Sequence, residues 1–424
     1  MIYKQHTTCR VCNNDKLIPY LVLGMLPLSN NLAISTTDSI HNERYPLQLL
    51  LCEKCGLSQL SIVIPPEILF SHYVYRSSIS EGYISHCLQM AVDLKEKHNL
   101  TPDSFHIDIA GNDGCLLNQF KKFIGHKILN VDPALNLAGI CEAADIPVLS
   151  FFWGMDVARK IINGGLGKFS SGSKSKEDTG SGKADLITAT NVFAHCEDVE
   201  DFMKAVKYVL KPTGVLVLEM PYLIDFINKR EFDTIYHEHL SYFSVYPITL
   251  LCERIGLTVM RVEKKEIHGG TIRVTIGFGK QDESVYQFVS DERENYTDIE
   301  KYYEFAEDVQ ITINNFRDGL NKLKSSGSKI CGFAASAKGC VLLNCAGVTV
   351  GTMNYIVDQT AEKIGKYQPG TRIPIVTIDD MMRNPPDYLV VLSWNFLSEI
   401  IEKTRKVGYI GKYIVGIPDF KIID

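Results

Sequence analysis

Short apolar runs flanked by glycine or polar turns alternate along most of the chain with longer stretches in which apolar positions recur every third or fourth residue. This alternation predicts buried strands of a parallel sheet separated by amphipathic helices. After a helical stretch from Glu81 to about His98, "SFHIDIAGNDGCLLNQF" predicts a strand, a glycine-bearing turn and a helix, and "KILNVDPALNLA" predicts a second strand ending at Asp132. Ala184 to Thr190 reads as a buried strand, Val199 to Leu210 as an amphipathic helix and Gly214 to Met220 as the next strand. One long helical pattern with mixed charges runs from about Val285 to Leu323. "GSKICGFAASAKGCVLLNCAG" then starts a second unit with another strand, small-residue turn and helix.

With 424 residues the chain exceeds one ordinary core, so two or three domains are expected. Residues 164–182, "GGLGKFSSGSKSKEDTGSG", have almost no apolar content and read as a mobile insertion, because burial cannot offset their ordering entropy. A hydrophobic share of 45% and a net charge of −6 fit a globular protein without a broad basic face. Nucleic-acid binding by phosphate neutralisation is therefore not expected. The N-terminal "MIYKQHTTCR" lacks the apolar core of a signal peptide, and no apolar stretch is long enough for a membrane span, which points to the cytoplasm. In that reducing compartment the twelve cysteines should be thiols, ligands or nucleophiles.

Four cysteines are patterned: Cys9 and Cys12 in "CRVC", and Cys52 and Cys55 in "CEKC". Paired CxxC knuckles offer soft thiolates at the spacing that grips a tetrahedral Zn²⁺. Residues 13–51 between them form a longer excursion than usual, and buried or redox thiols are the competing reading. A four-cysteine site leaves no open coordination position, so this zinc would be structural.

Gly111 and Gly114 in "GNDGCL" allow a ligand close to the backbone at a helix start, and Asp132 lies where a Rossmann-like sheet hydrogen-bonds a ribose diol. That pattern suits either a nicotinamide dinucleotide or S-adenosylmethionine (SAM). Because the turn does not complete GxGxxG, SAM is favoured, with an empty core turn as the alternative. Asn191 falls at the same sheet edge, whereas Asn112 and Asp113 could contact the cofactor or simply cap the next helix. In "HGGTIR", close approach at Gly269 combines with the guanidinium fork of Arg273, and "ASAKG" places Lys338 at a helix start. Both cations suit a diphosphate, and both could instead be structural.

"YHEHLSYFS" concentrates Tyr236, His237, Glu238 and His239. The two histidines lack the i, i+4 spacing of a helical metal site, leaving a polar loop or a general base. Strict strand alternation would separate Tyr236 and Glu238 from His237 and His239, so a turn is expected if both sets act together.

Together with "YVYRSS", "DIAGNDGCLL", "ITATNVFAH", "IHGGTIRV", "FAASAKG" and "GKYQPGTRIPI", these segments occur in an order that resembles the nucleotide-sugar C-methyltransferases acting on 4-keto-deoxysugars. The resemblance spans the chain apart from the Gly/Ser insertion. It implies an α/β multidomain fold: a zinc-binding module at residues 1–72, a central Rossmann-like SAM domain at 73–265, and a C-terminal Rossmann-like α/β domain at 266–424 that helps hold a nucleotide-diphosphate sugar. It also implies His239 as base, with Tyr236, Glu238, His195 and Tyr75 around it. His268, beside Gly269, is counted among the substrate-binding residues, and His237 reads as structural. A monomer or weak homo-oligomer is expected. The family more often carries Glu at Asp108 and Ser at Ala110, and these departures soften the cofactor contacts. An NAD-linked sugar oxidoreductase and a non-catalytic zinc-stapled sugar-nucleotide binding protein are the alternative functions.

Overall fold

In the computed structural model, residues 2–125, 127–164, 182–267 and 269–424 are described. Most of the expected insertion and His268 fall outside them. The fold is α/β and multidomain, with three principal sheets.

The central sheet has seven strands, in the spatial order Thr258–Lys265, Thr271–Gly277, Leu210–Pro221, Ala184–Thr190, His106–Ile109, Ile128–Val131 and Val148–Leu149. Its last five strands pair in parallel, while Thr271–Gly277 runs antiparallel to both neighbours. Ile187, Leu216, Leu218 and Val274 are wholly buried, as continuous apolar strands covered on both faces require. The helix Val199–Val209 packs Val199, Phe202, Met203, Val206 and Val209 inward, and Asp198 caps it by accepting from the Asp201 N–H. Strand order reverses between His106–Ile109 and Ala184–Thr190, opening a crevice at their carboxyl ends.

A second sheet has the order Ile375–Val376, Ile356–Val357, Ile330–Phe333, Tyr388–Val391, Lys412–Val415 and Lys421–Ile423. Only its last strand is antiparallel. This is another doubly wound order, with its reversal between Ile330–Phe333 and Tyr388–Val391. The two crevices face one cleft, lined from one side by Asp132 and Asn191 and from the other by Ser336 and Asn395.

The third sheet is antiparallel and joins Leu17–Pro27, Arg44–Cys52 and Ser58–Leu60 to Ser241–Tyr242. Its fourth strand belongs to "YHEHLSYFS", so this motif is the seam between the N-terminal region and the central sheet. The long helical pattern divides into Glu283–Asn295 and Ile299–Ser325, because Asp298 accepts from the Glu300 N–H and caps a new helix. Among the described residues, no helix is long and apolar enough to cross a membrane.

Candidate active site

The sulfur atoms of Cys9, Cys12, Cys52 and Cys55 all lie within 4.8 Å of one another. Cys9 Sγ is 3.5 Å from Cys55 Sγ, and Cys12 Sγ is 3.5 Å from Cys52 Sγ. A tetrahedral Zn²⁺ with bonds of about 2.3 Å needs sulfurs about 3.8 Å apart, so the four thiolates fit that ion. Each knuckle closes alike: Asn13 N–H donates to the Cys9 carbonyl and Gly56 N–H to the Cys52 carbonyl, both at 2.9 Å. Asn13 and Gly56 adopt left-handed backbone, with φ of 58° and 71°, which explains an Asn and a Gly after the knuckles.

The cleft has a volume of about 560 Å³. Gly111 is sterically required in its floor, since a Cβ there would meet Asn130 Oδ1 and Asp108 Oδ2 at 2.6 Å. Asp132 Oδ2 accepts from the Asn112 N–H and Oδ1 from the Ala134 N–H, each at 2.8 Å. These bonds fix the carboxylate at the cleft and leave lone pairs for hydroxyls. Asn112 and Asp113 do not cap the following helix. Asn112 Oδ1 accepts from Ser77 N–H at 3.0 Å, and Asp113 Oδ2 from Ser78 N–H at 3.1 Å, tying the turn to the segment that carries Tyr75. Gly114, at φ 77°, precedes that helix and packs over Ile146, while Asn191 donates its N–H to the Glu219 carbonyl and lines the cleft. Asp108 Oδ2 is a buried oxygen with no partner beside the turn. It offers an acceptor for an ammonium group, so the chain's residues suit the methionine end of SAM as well as its ribose.

His239 lies in the same cleft in a turn, as expected for this motif, closed by its own N–H to the Tyr236 carbonyl at 2.9 Å. Its Nδ1 is 2.8 Å from the Thr234 carbonyl oxygen and its Nε2 is 2.7 Å from Tyr236 Oη. A carbonyl only accepts, so Nδ1 carries hydrogen and Nε2 holds the lone pair that accepts from the phenol. Burial, followed by repulsion from His195 and Lys338, holds the His239 pKa well below 6.5. His195 stacks on Phe70 at 5.3 Å, with its ring centroid 4.9 Å from that of His239, and burial lowers it to about 4. Both imidazoles are neutral near pH 7. Tyr75 lines the cleft near Tyr73, their ring centroids 6.5 Å apart.

Glu238 does not touch His239 as a supporting carboxylate would. Its Oε1 accepts from Asn30 at 2.7 Å and its Oε2 from Tyr73 at 3.2 Å, and burial raises its pKa to about 7. His237 is buried against Tyr45 of the zinc-binding region, at 5.9 Å between ring centroids, a packing position.

Two expected substrate contacts are placed elsewhere. Arg273 is 1% exposed and stands directly across the sheet from Glu219. Its Nε donates to Glu219 Oε1 at 2.6 Å and its Nη1 to Asp93 at 3.3 Å, so its fork is not available to a diphosphate. Gly269, at φ 101°, packs on Glu231, whose carboxylate a Cβ would meet at 2.5 Å. Lys338 does line the cleft, its buried Nζ without a hydrogen-bond partner and 4.6 Å above the Trp394 ring. Sequence reasoning missed Asn30, Tyr73 and Thr234. Only Tyr73 carried a signal, as the other tyrosine of "YVY".

Three family models match in order: a zinc binding domain over residues 9–70, a methyltransferase domain over 93–262, and a C-methyltransferase C-terminal domain over 266–418. The C-methyltransferase NovU of Streptomyces niveus is 30% identical over 421 residues, covering 98% of this chain and 96% of that protein. Among solved structures, magnesium protoporphyrin IX methyltransferase (ChlM) from Synechocystis PCC 6803 with bound SAM is 11% identical, covering 46% of this chain and 78% of that one, with a TM-score of 0.32. The N-methyltransferase NodS from Bradyrhizobium japonicum WM9 is 12% identical, covering 46% and 97%, with a TM-score of 0.32. By its near full-length match to NovU and its ordered domain models, the chain belongs to the family of SAM-dependent C-methyltransferases.

Proposed function

We propose that the protein methylates a carbon next to a ketone, at C3 of a nucleotide-diphosphate-linked 4-keto-6-deoxyhexose. The observation that carries this reading is the half-buried, neutral His239 with its tautomer fixed by Thr234, set in a cleft shared by two nucleotide-type crevices. A ketone at C4 acidifies the C3 hydrogen. His239 Nε2 removes it once the C4 oxygen draws the Tyr236 hydroxyl away, and the charge on that oxygen is held by donors from Tyr236, Tyr75 and His195. SAM supplies the methyl group as an electrophile. Asp108, the Gly111–Gly114 turn, Asp132 and Asn191 bind that cofactor, and Lys338 meets the nucleotide sugar's negative charge.

The test is incubation of the purified protein with SAM and dTDP-, GDP-, UDP- and CDP-4-keto-6-deoxyhexoses, followed by mass spectrometry and NMR. The expected product is heavier by one CH₂, with a new carbon–carbon bond at C3 and release of S-adenosylhomocysteine. Methylation on oxygen or nitrogen, or no product from any of these sugars, would overturn the proposal.

A further inference from the structure

Both residues that flank His239 in sequence are held by the zinc-binding region. On one side, Asn30 Nδ2 donates to Glu238 at 2.7 Å. On the other, the Leu240 carbonyl accepts from Arg10 Nη1 at 3.0 Å and from the Leu60 N–H at 3.0 Å. Arg10 stands inside the first knuckle, between Cys9 and Cys12. The same Nη1 reaches the Leu60 carbonyl at 3.2 Å, and the Arg10 N–H donates to Gln59 Oε1 at 2.9 Å. Gln59 is in register with Ser241, and its Nε2 donates to the Thr8 carbonyl at 3.0 Å. The knuckle, the strand Ser58–Leu60 and the base-bearing turn are thus one hydrogen-bonded unit.

Arginine is a costly choice for that place if packing were its only task. It is 5% exposed, and its Nε and Nη2 have no hydrogen-bond partner. An apolar side chain of similar volume would fill the space without that penalty. What the guanidinium adds is a tie to two carbonyls, one on each side of the seam.

We propose that Arg10 is a positioning residue for His239: the first zinc knuckle aims Arg10 at the Leu240 carbonyl and so fixes the imidazole one residue away. The metal site then governs the geometry of the base as well as the fold of its own region. This rests on the reading of His239 as the base.

The test compares Arg10→Met, which keeps the side-chain bulk and removes the donors, with Arg10→Lys, His239→Ala and the unmodified enzyme. Zinc per chain, SAM affinity by calorimetry, the His239 imidazole resonances, and exchange of the C3 hydrogen of a dTDP-4-keto-6-deoxyhexose with solvent deuterium are measured. In Arg10→Met, zinc content and SAM affinity are expected to stay near those of the unmodified enzyme while the His239 resonances move. Exchange at saturating substrate should fall about 10- to 100-fold with KM nearly constant, as a misplaced base requires. Arg10→Lys, which can still reach one carbonyl, should recover part of the loss. Zinc-loaded Arg10→Met with unmoved resonances and full exchange would overturn the proposal. If Arg10→Met does not fold, unmoved resonances and full exchange in Arg10→Lys overturn it instead. Exchange that survives His239→Ala sinks the base assignment itself, whereas exchange lost in His239→Ala but intact in Arg10→Met sinks only the role of Arg10.

Discussion

Tyr236 Oη lies 2.7 Å from His239 Nε2, and the Thr234 carbonyl oxygen lies 2.8 Å from His239 Nδ1, so the nitrogen facing the phenol is the one free to accept a proton. In the proposed mechanism the phenol covers the basic nitrogen and, once a ketone oxygen is near, becomes a donor to it. Tyr236→Phe removes the donor but leaves Nε2 free. Turnover should drop about 100-fold, the scale of one lost oxyanion donor, with SAM affinity unaltered. Single-turnover kinetics and calorimetry check this. Full turnover in the variant would show that the phenol does not hold the developing charge.

The depressed pKa of His239 sets the acid side of the rate profile. A free imidazole would be half protonated near pH 6.5, but burial and the nearby His195 and Lys338 keep His239 neutral there. Deuterium exchange at C3 should therefore still be on its plateau at pH 6.5 and decline only at lower pH. Lys338→Met removes a repelling charge and should move the decline upward. An exchange rate that halves near pH 6.5 in the unmodified enzyme would contradict this electrostatic picture.

Much of the site was legible because it depends on local chain geometry. The turn at Gly111, the acidic tip at Asp132 and the two knuckles each follow from residues a few positions apart. What was not legible depends on partners distant in sequence. Nothing near "IHGGTIRV" announces that Arg273 will face Glu219 across an antiparallel pair, or that Glu238 will be claimed by Asn30 instead of His239. The seam made by Ser241–Tyr242 was hidden for the same reason, since a two-residue strand has no periodicity to read. The break before Ile299 did carry a local signal, the capping Asp298 in "TDIE", which the continuous charge pattern masked.

Arg273 is predicted to matter for stability and not for substrate affinity. It and Glu219 are each 1% exposed, and Glu219 also meets His86 Nε2 at 2.7 Å. Arg273→Ala strands a buried carboxylate, a loss on the order of 3–5 kcal/mol. Denaturant unfolding should show that loss, while the folded variant should bind a nucleoside diphosphate as the unmodified protein does. Normal stability with weakened diphosphate binding would restore the role first expected of this residue.

Glu238 should make stability depend on pH in an unusual direction. Burial raises its folded pKa from 4.5 to about 7, against the lowering effect of Asn30 and Tyr73. Between those two values the folded chain binds more protons at this site than the unfolded chain, so this contribution falls as pH rises through the window. It is fully present below the unfolded value and gone above about pH 7, a span on the order of 3 kcal/mol. Glu238→Gln is neutral at every pH and can still accept from Asn30, so it lacks that slope. Urea unfolding of both proteins between pH 4.5 and 7.5 should show the unmodified protein losing stability relative to Glu238→Gln as pH increases. A constant difference between the two across the range would mean that Glu238 is ionised in the folded protein throughout.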